Sequence, residues 1–141
     1  AVMKQTKYLL LAFAPLALGF IMLQIPLAPN FFSLLFYFAW YFVGYSSGKD
    51  FDTPAASFLF GNFLSVLLFF LGSTQLLRHG TYASNLFGLL PQLFFAPANP
   101  ISAKVMLSII QTSPAFACLC LSFLLTSMVY ILGYYRKRSE K

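Results

Sequence analysis

Four long stretches of the chain are apolar almost throughout, and most polar residues gather between them. They run over residues 8–25, 31–47, 55–77 and 105–135. A helix that crosses the hydrocarbon core of a bilayer needs about 20 predominantly apolar residues. Each stretch therefore predicts a transmembrane helix, the second short and the fourth longer than required. A fifth apolar stretch, 82–96, is shorter and carries Pro91. On a helical wheel Asn85, Gly88 and Gln92 share one side of it, and Leu86, Leu89, Leu90, Leu93 and Phe94 the other. That pattern predicts an interfacial or re-entrant helix on the outer side of the membrane rather than a crossing. The expected fold is an all-α integral membrane protein, a single transmembrane domain over 1–141.

The segments between the stretches read as connections. Pro26-Leu27-Ala28-Pro29-Asn30 predicts a tight turn, and Ser46 to Thr53 a polar loop. Asp52 or Thr53 before Pro54 is a start signal for the third helix, a capping side chain followed by proline at the first helical position. Arg78-His79-Gly80 and Pro97-Ala98-Asn99-Pro100 read as loops around the outer stretch. Pro114 is expected to kink the fourth helix or end its first turn, which would make 108–113 a separate outer segment.

Composition supports the membrane reading. Of 141 residues, 60% are hydrophobic and only 9% are charged, against about a quarter charged in soluble domains. So little charge cannot cover a water-soluble globule, and an ordinary soluble enzyme and a disordered chain are excluded. The net charge of +6 does not signal nucleic acid, because the basic residues sit at the chain ends and in connections rather than on one face.

In a membrane protein those charges report orientation. With four spans, one side holds Lys4, Lys7, Lys49, Arg136, Lys137, Arg138 and Lys141, and the other holds Arg78 and Lys104. With five spans the best division is five against four. The positive-inside rule favours four spans with both termini cytoplasmic, in the cell membrane. Lys4 and Lys7 before an apolar run also resemble a secretory signal peptide, but no convincing small-residue cleavage motif follows, and the run is taken as the first span.

Lipid gives helices no hydrophobic reason to associate, so contact faces in membranes use small and weakly polar residues. Ser57, Gly61 and Ser65 recur at every fourth position of the third span, and Gly72 and Gln75 continue that side. In the fourth span Ser108, Gln111, Ala115, Ser122, Thr126 and Gly133 fall on one side. Such stripes serve internal packing, a docking face for another subunit or a homo-oligomer, or the lining of a polar path. Asn62 is the strongest polar outlier within a span and is expected to hydrogen-bond across helices.

Chemistry-bearing groups are sparse. None of the predicted spans has a charged residue in its middle, which argues against proton coupling and voltage sensing. His79 is the single histidine, Asp50 and Asp52 lie in a short loop, and Cys118 and Cys120 point to different sides of a helix. No metal, cofactor or catalytic constellation is expected. The outer connections collect Arg78, His79, Asn85, Gln92 and Lys104, where Arg78 and Lys104 could hold an anionic lipid headgroup or another anion. The leading expectation is a non-catalytic subunit or accessory component of a membrane complex. The alternatives are a small oligomeric channel or transporter with a weakly polar path, and a lipid-binding or lipid-modifying protein that uses the outer loop.

Overall fold

The structure, a computed structural model, describes residues 2–24, 29–110 and 115–140. Every regular element among them is helical: α1 (Val2–Leu11), α2 (Ala14–Gln24), α3 (Pro29–Asp50), α4 (Pro54–His79), α5 (Leu86–Phe95), α6 (Asn99–Ile110) and α7 (Ala115–Ser139). Three stretches are long and apolar enough to cross a membrane: Gln5–Met22, Pro54–His79 and Phe116–Ser139. Only 22%, 39% and 33% of their most apolar windows are buried within the chain. Most of each helix surface is therefore apolar and turned outward, as a lipid environment requires. α3 is 22 residues long but is not among the three. Its exposed residues include Phe31, Leu34, Leu35, Phe38 and Phe42, whereas its inward serines, tyrosines and Trp40 dilute its apolar character.

Two predicted spans are divided. The stretch 8–25 is not one helix, because Pro15 follows the first residue of α2 and supplies no N–H to the carbonyl of Leu11. The chain tightens there, with Phe13 N–H donating to the Leu10 carbonyl at 3.2 Å and Leu16 N–H to the Phe13 carbonyl at 3.1 Å. The stretch 105–135 is shared between α6 and α7, on either side of 111–114. α6 begins at Asn99, inside the segment expected to be loop, with Pro100 in its first turn, where a missing N–H costs nothing.

α4 matches its sequence signals closely. Thr53 is the N-cap, its side chain accepting from Ala56 N–H at 3.3 Å, and Pro54 stands at the first helical position. Gly80 ends the helix in the left-handed region, φ 74°, and returns its N–H to the Leu76 carbonyl at 3.0 Å. Inside the helix, Asn62 departs from helical geometry at φ −127°, ψ 18°.

α3 and α7 form the tightest seam. A β-carbon on Gly44 would fall on the backbone of Tyr130, one on Gly48 would come 2.7 Å from the Tyr134 carbonyl oxygen, and one on Gly133 would fall on the backbone of Tyr41. Glycine is required at these three positions because backbone meets backbone. The pairs Gly44 with Tyr130 and Gly48 with Tyr134 advance together along both helices, so α3 and α7 run parallel. α4 runs antiparallel to α7: Gly61 meets the Tyr130 ring, Phe69 stacks on Phe123 at 4.4 Å, and Gly72 meets Leu119. Gly19 of α2 is pressed against the backbone of Leu93 in α5.

Candidate functional site

The stripe residues whose burial is described, Ser57, Gly61, Ser65, Gly72, Gln75, Ser122, Thr126 and Gly133, are all buried within the chain. Ser57, on α4, donates to Ser47 Oγ at 2.6 Å, and the Tyr130 hydroxyl donates to the Ser57 carbonyl at 2.9 Å. Gly61 lies under the tip of the Tyr130 ring. Ser122, on α7, donates to Ser102 Oγ of α6 at 2.8 Å, and Ser102 also donates to the Ala98 carbonyl at 3.1 Å. Gly133 meets α3, and Gly72 packs against Leu119, Pro91 and Tyr82. Ser65 and Thr126 are buried without a hydrogen-bond partner. Ser108 lies in α6 and Ala115 opens α7. Gln111 lies outside the described residues.

Three groups of polar contacts follow one another along the bundle. At one end the Tyr8 hydroxyl donates to Asp50 Oδ2 at 2.7 Å, Tyr134 donates to the Phe51 carbonyl at 3.2 Å, and Arg138 lies 3.8 Å from Asp52. The Tyr45 hydroxyl donates to Glu140 at 2.6 Å and holds that carboxyl below its ordinary range. Lys137 sits 5.1 Å over the Tyr45 ring and 3.7 Å from Glu140. Tyr8, Lys49 and the basic end of α7 are thus gathered at one end, while Arg78 and His79 close α4 at the other.

The second group is at the break of α4. Trp40 Nε1 donates to Asn62 Oδ1 at 3.0 Å, so the strongest polar outlier of the third stretch hydrogen-bonds across helices, from α4 to α3. The other half of the amide, Nδ2, is fully buried and unpartnered.

The third group belongs to Gln75. Pro91 cannot give an N–H to the Phe87 carbonyl, its partner in a regular helix. Gln75 Nε2 donates to that carbonyl at 2.8 Å instead, and its Oε1 accepts from Ala83 N–H at 2.9 Å. One buried side chain on α4 thereby holds the segment leading into α5. Tyr82, in the same connection, is half-buried, and burial pushes its phenol above the ordinary range.

The outer residues are dispersed rather than gathered. Arg78 and His79 are exposed at the end of α4, and Lys104 is exposed on α6. Asn85 caps α5, its side chain accepting from Phe87 N–H at 3.0 Å, and Gln92 donates to its own helix at the Gly88 carbonyl, 2.9 Å away. The two sides of this helix do not divide by burial. Gly88, Pro91, Phe94 and Phe95 are buried, while Leu86, Phe87 and Leu89 are exposed. Gly88 lies inward because its missing side chain lets the helix close on the Ala83 backbone. Cys118 and Cys120 are free thiols. Among the described residues no group of His, Cys, Asp and Glu side chains could hold a metal ion.

Sequence reasoning missed the Gly44/Gly48 pair, although its four-residue spacing carries the signal of a close helix contact. It also missed Tyr8, Tyr130 and Tyr134, all buried, because tyrosines in apolar runs read as interfacial anchors. The chain matches no protein-family model, no curated protein and no solved structure.

Proposed function

We propose that the chain is a small four-span protein of the cell membrane that acts, without catalysis, as an accessory subunit bound to a larger membrane protein. In this reading α1 with α2, α3, α4 and α7 cross the bilayer, α5 and α6 lie on the outer side, and the basic end faces the cytoplasm. The clustering of Lys49, Arg136, Lys137 and Arg138 at the end opposite Arg78 supports that orientation. α3 crosses even though its hydropathy is diluted, since Ser33, Ser47 and Trp40 are buried against other helices.

The observation that carries the accessory role is the outward side of the α3–α7 seam. There Leu34, Tyr37, Phe38, Tyr41 and Val129 line an open apolar groove of about 360 Å³, flanked by the exposed rings of Phe31 and Phe42. The stripes themselves are occupied internally, so a docking partner must use another face. Ridges of large side chains beside a groove suit a partner transmembrane helix, which packs by interdigitation. The test is purification in mild detergent followed by native mass spectrometry. The expected result is a stoichiometric larger membrane protein that is retained by Leu67→Trp, on another exposed face, and lost with Val129→Trp. A chain that purifies alone or only with lipid, or as a complex indifferent to Val129→Trp, overturns the reading.

A second reading, a small oligomeric channel or transporter, draws on the buried hydroxyls that have no partner, Ser33, Ser65 and Thr126 among them. It predicts solute flux from the purified protein in liposomes, and silence across common ions and small neutral solutes counts against it.

A further inference from the structure

We infer that the break of α4 at Gly61–Asn62 is a built site for internal water, held by Asn62 Nδ2, Ser65 Oγ and Thr126 Oγ1 between α4 and α7. Three observations meet there. First, α4 loses helical geometry at Asn62 although its nearest proline is Pro54, at its start. Kinks away from proline arise at glycine or serine pairs, at bulges, or where a side chain or water enters the backbone ladder. Second, Asn62 and Ser65 lie three residues apart and share a side of α4. The antiparallel register, set by Gly61 against Tyr130 and by Phe69 on Phe123, places Ser65 across from Thr126. Third, Asn62 and Ser65 are 0% exposed and Thr126 is 1% exposed, and none of the three polar atoms makes a well-formed hydrogen bond, the Tyr37 hydroxyl of α3 lying beside Thr126 in the same condition.

The chemistry narrows the ligand. Trp40 occupies the amide oxygen of Asn62, so what remains is the NH2 group, which only donates. The ligand must therefore accept from Asn62, and it can accept from or donate to the two hydroxyls. An anion would also accept, but α4 between Thr53 and Arg78 and α7 before Arg136 carry no charged residue. An unpaired charge buried there is far more costly than a neutral molecule. A buried amide and two hydroxyls supply the two to four polar partners by which an internal water is held.

The test uses the full chain in nanodiscs with 15N-labelled asparagine, probing transfer of magnetisation from water to side-chain amides. The Asn62 signal is identified by its loss in Asn62→Leu or, should that variant fail to fold, by its shift in Ser65→Ala. Transfer from water to the Asn62 amide is expected, although the residue is fully buried. Absence of transfer at Asn62, with transfer present at the exposed Asn85, overturns the proposal. Thermal melts of Ser65→Ala, Thr126→Val and the double variant supply a second readout. A shared water makes the double variant lose no more Tm than the worse single variant, and additive losses overturn the shared site.

Discussion

The two ends of the bundle are held by different physics. At the basic end, backbone lies on backbone through Gly44, Gly48 and Gly133, and tyrosine hydroxyls from α1 and α7 reach Asp50 and the carbonyls of Phe51 and Ser57. At the opposite end, α5 rests on α2 and α4 through Phe94, Phe95 and Pro91, and one glutamine supplies the polar contacts. The first arrangement tolerates almost no added volume and spreads its polar energy over several residues. The second is also close where Gly19 meets the Leu93 backbone, but at Gly72 it faces side chains only, and it concentrates its polar energy in Gln75. A helix seam in lipid can thus spread its polar contacts along a close approach or gather them in a single anchored side chain.

The largest expected effect comes from adding volume at the first end. Gly44→Val places side-chain atoms on the Tyr130 backbone, and overpacking of this kind costs about 1–3 kcal/mol or more. Trp40, the only tryptophan, lies beside this seam and reports it, so a melt followed by its fluorescence should show a large fall in Tm. Gly72→Ala should fall much less, because the added carbon would meet the Leu119 side chain at 3.1 Å rather than a backbone. Equal losses in the two variants would break the comparison.

Gln75→Leu ranks second. It strands the Phe87 carbonyl and the Ala83 N–H, both only part-buried, at about 1 kcal/mol for each group left unpaired. Hydrogen exchange should rise over residues 83–90 while the amides of α3 stay protected. Tyr130→Phe ranks third, removing one hydroxyl from a shared network for a loss of about 1 kcal/mol. A melt of that variant that overlays the parent protein would show that Ser47 and Ser57 satisfy each other.

The smallest effect is that of pH. Glu140 has its carboxyl lowered by the Tyr45 hydroxyl, so its contribution is complete above the ordinary carboxylate range and fades as pH falls through the lowered value. Acidification should lower Tm slightly, and Glu140→Gln should remove that dependence. A dependence that survives in the variant would contradict the assignment to Glu140.

Much of this was legible from pattern. The start of α4 at Thr53-Pro54 and the separate helix α5 follow from spacing, and the small-residue stripe of α4 marks a close contact, because capping and small-residue contact are local properties. Pro114 lies outside the described residues, and Pro15 was passed over inside an apolar run that reads as continuous by hydropathy. The packing of α5 was not legible in its polar and apolar sides, since Gly88 of one side and Phe94 of the other are both buried. In that helix glycine marks the closest contact, and leucines face outward, where lipid would lie. The donor that Gln75 lends to Phe87 was not legible at all, since it joins residues 12 apart across a turn.

The inward direction of the stripes can be tested without reference to any partner. In a chain with Cys118 and Cys120 replaced by alanine, Ser47→Cys with Ser57→Cys and, separately, Ser102→Cys with Ser122→Cys place thiols where hydroxyl oxygens now lie 2.6 and 2.8 Å apart. Mild oxidation in the native membrane should close a disulfide within one chain for each pair and leave the protein monomeric on a denaturing gel. Cross-linked dimers, or pairs that do not close, would show that the stripes face a second subunit and would contradict the account.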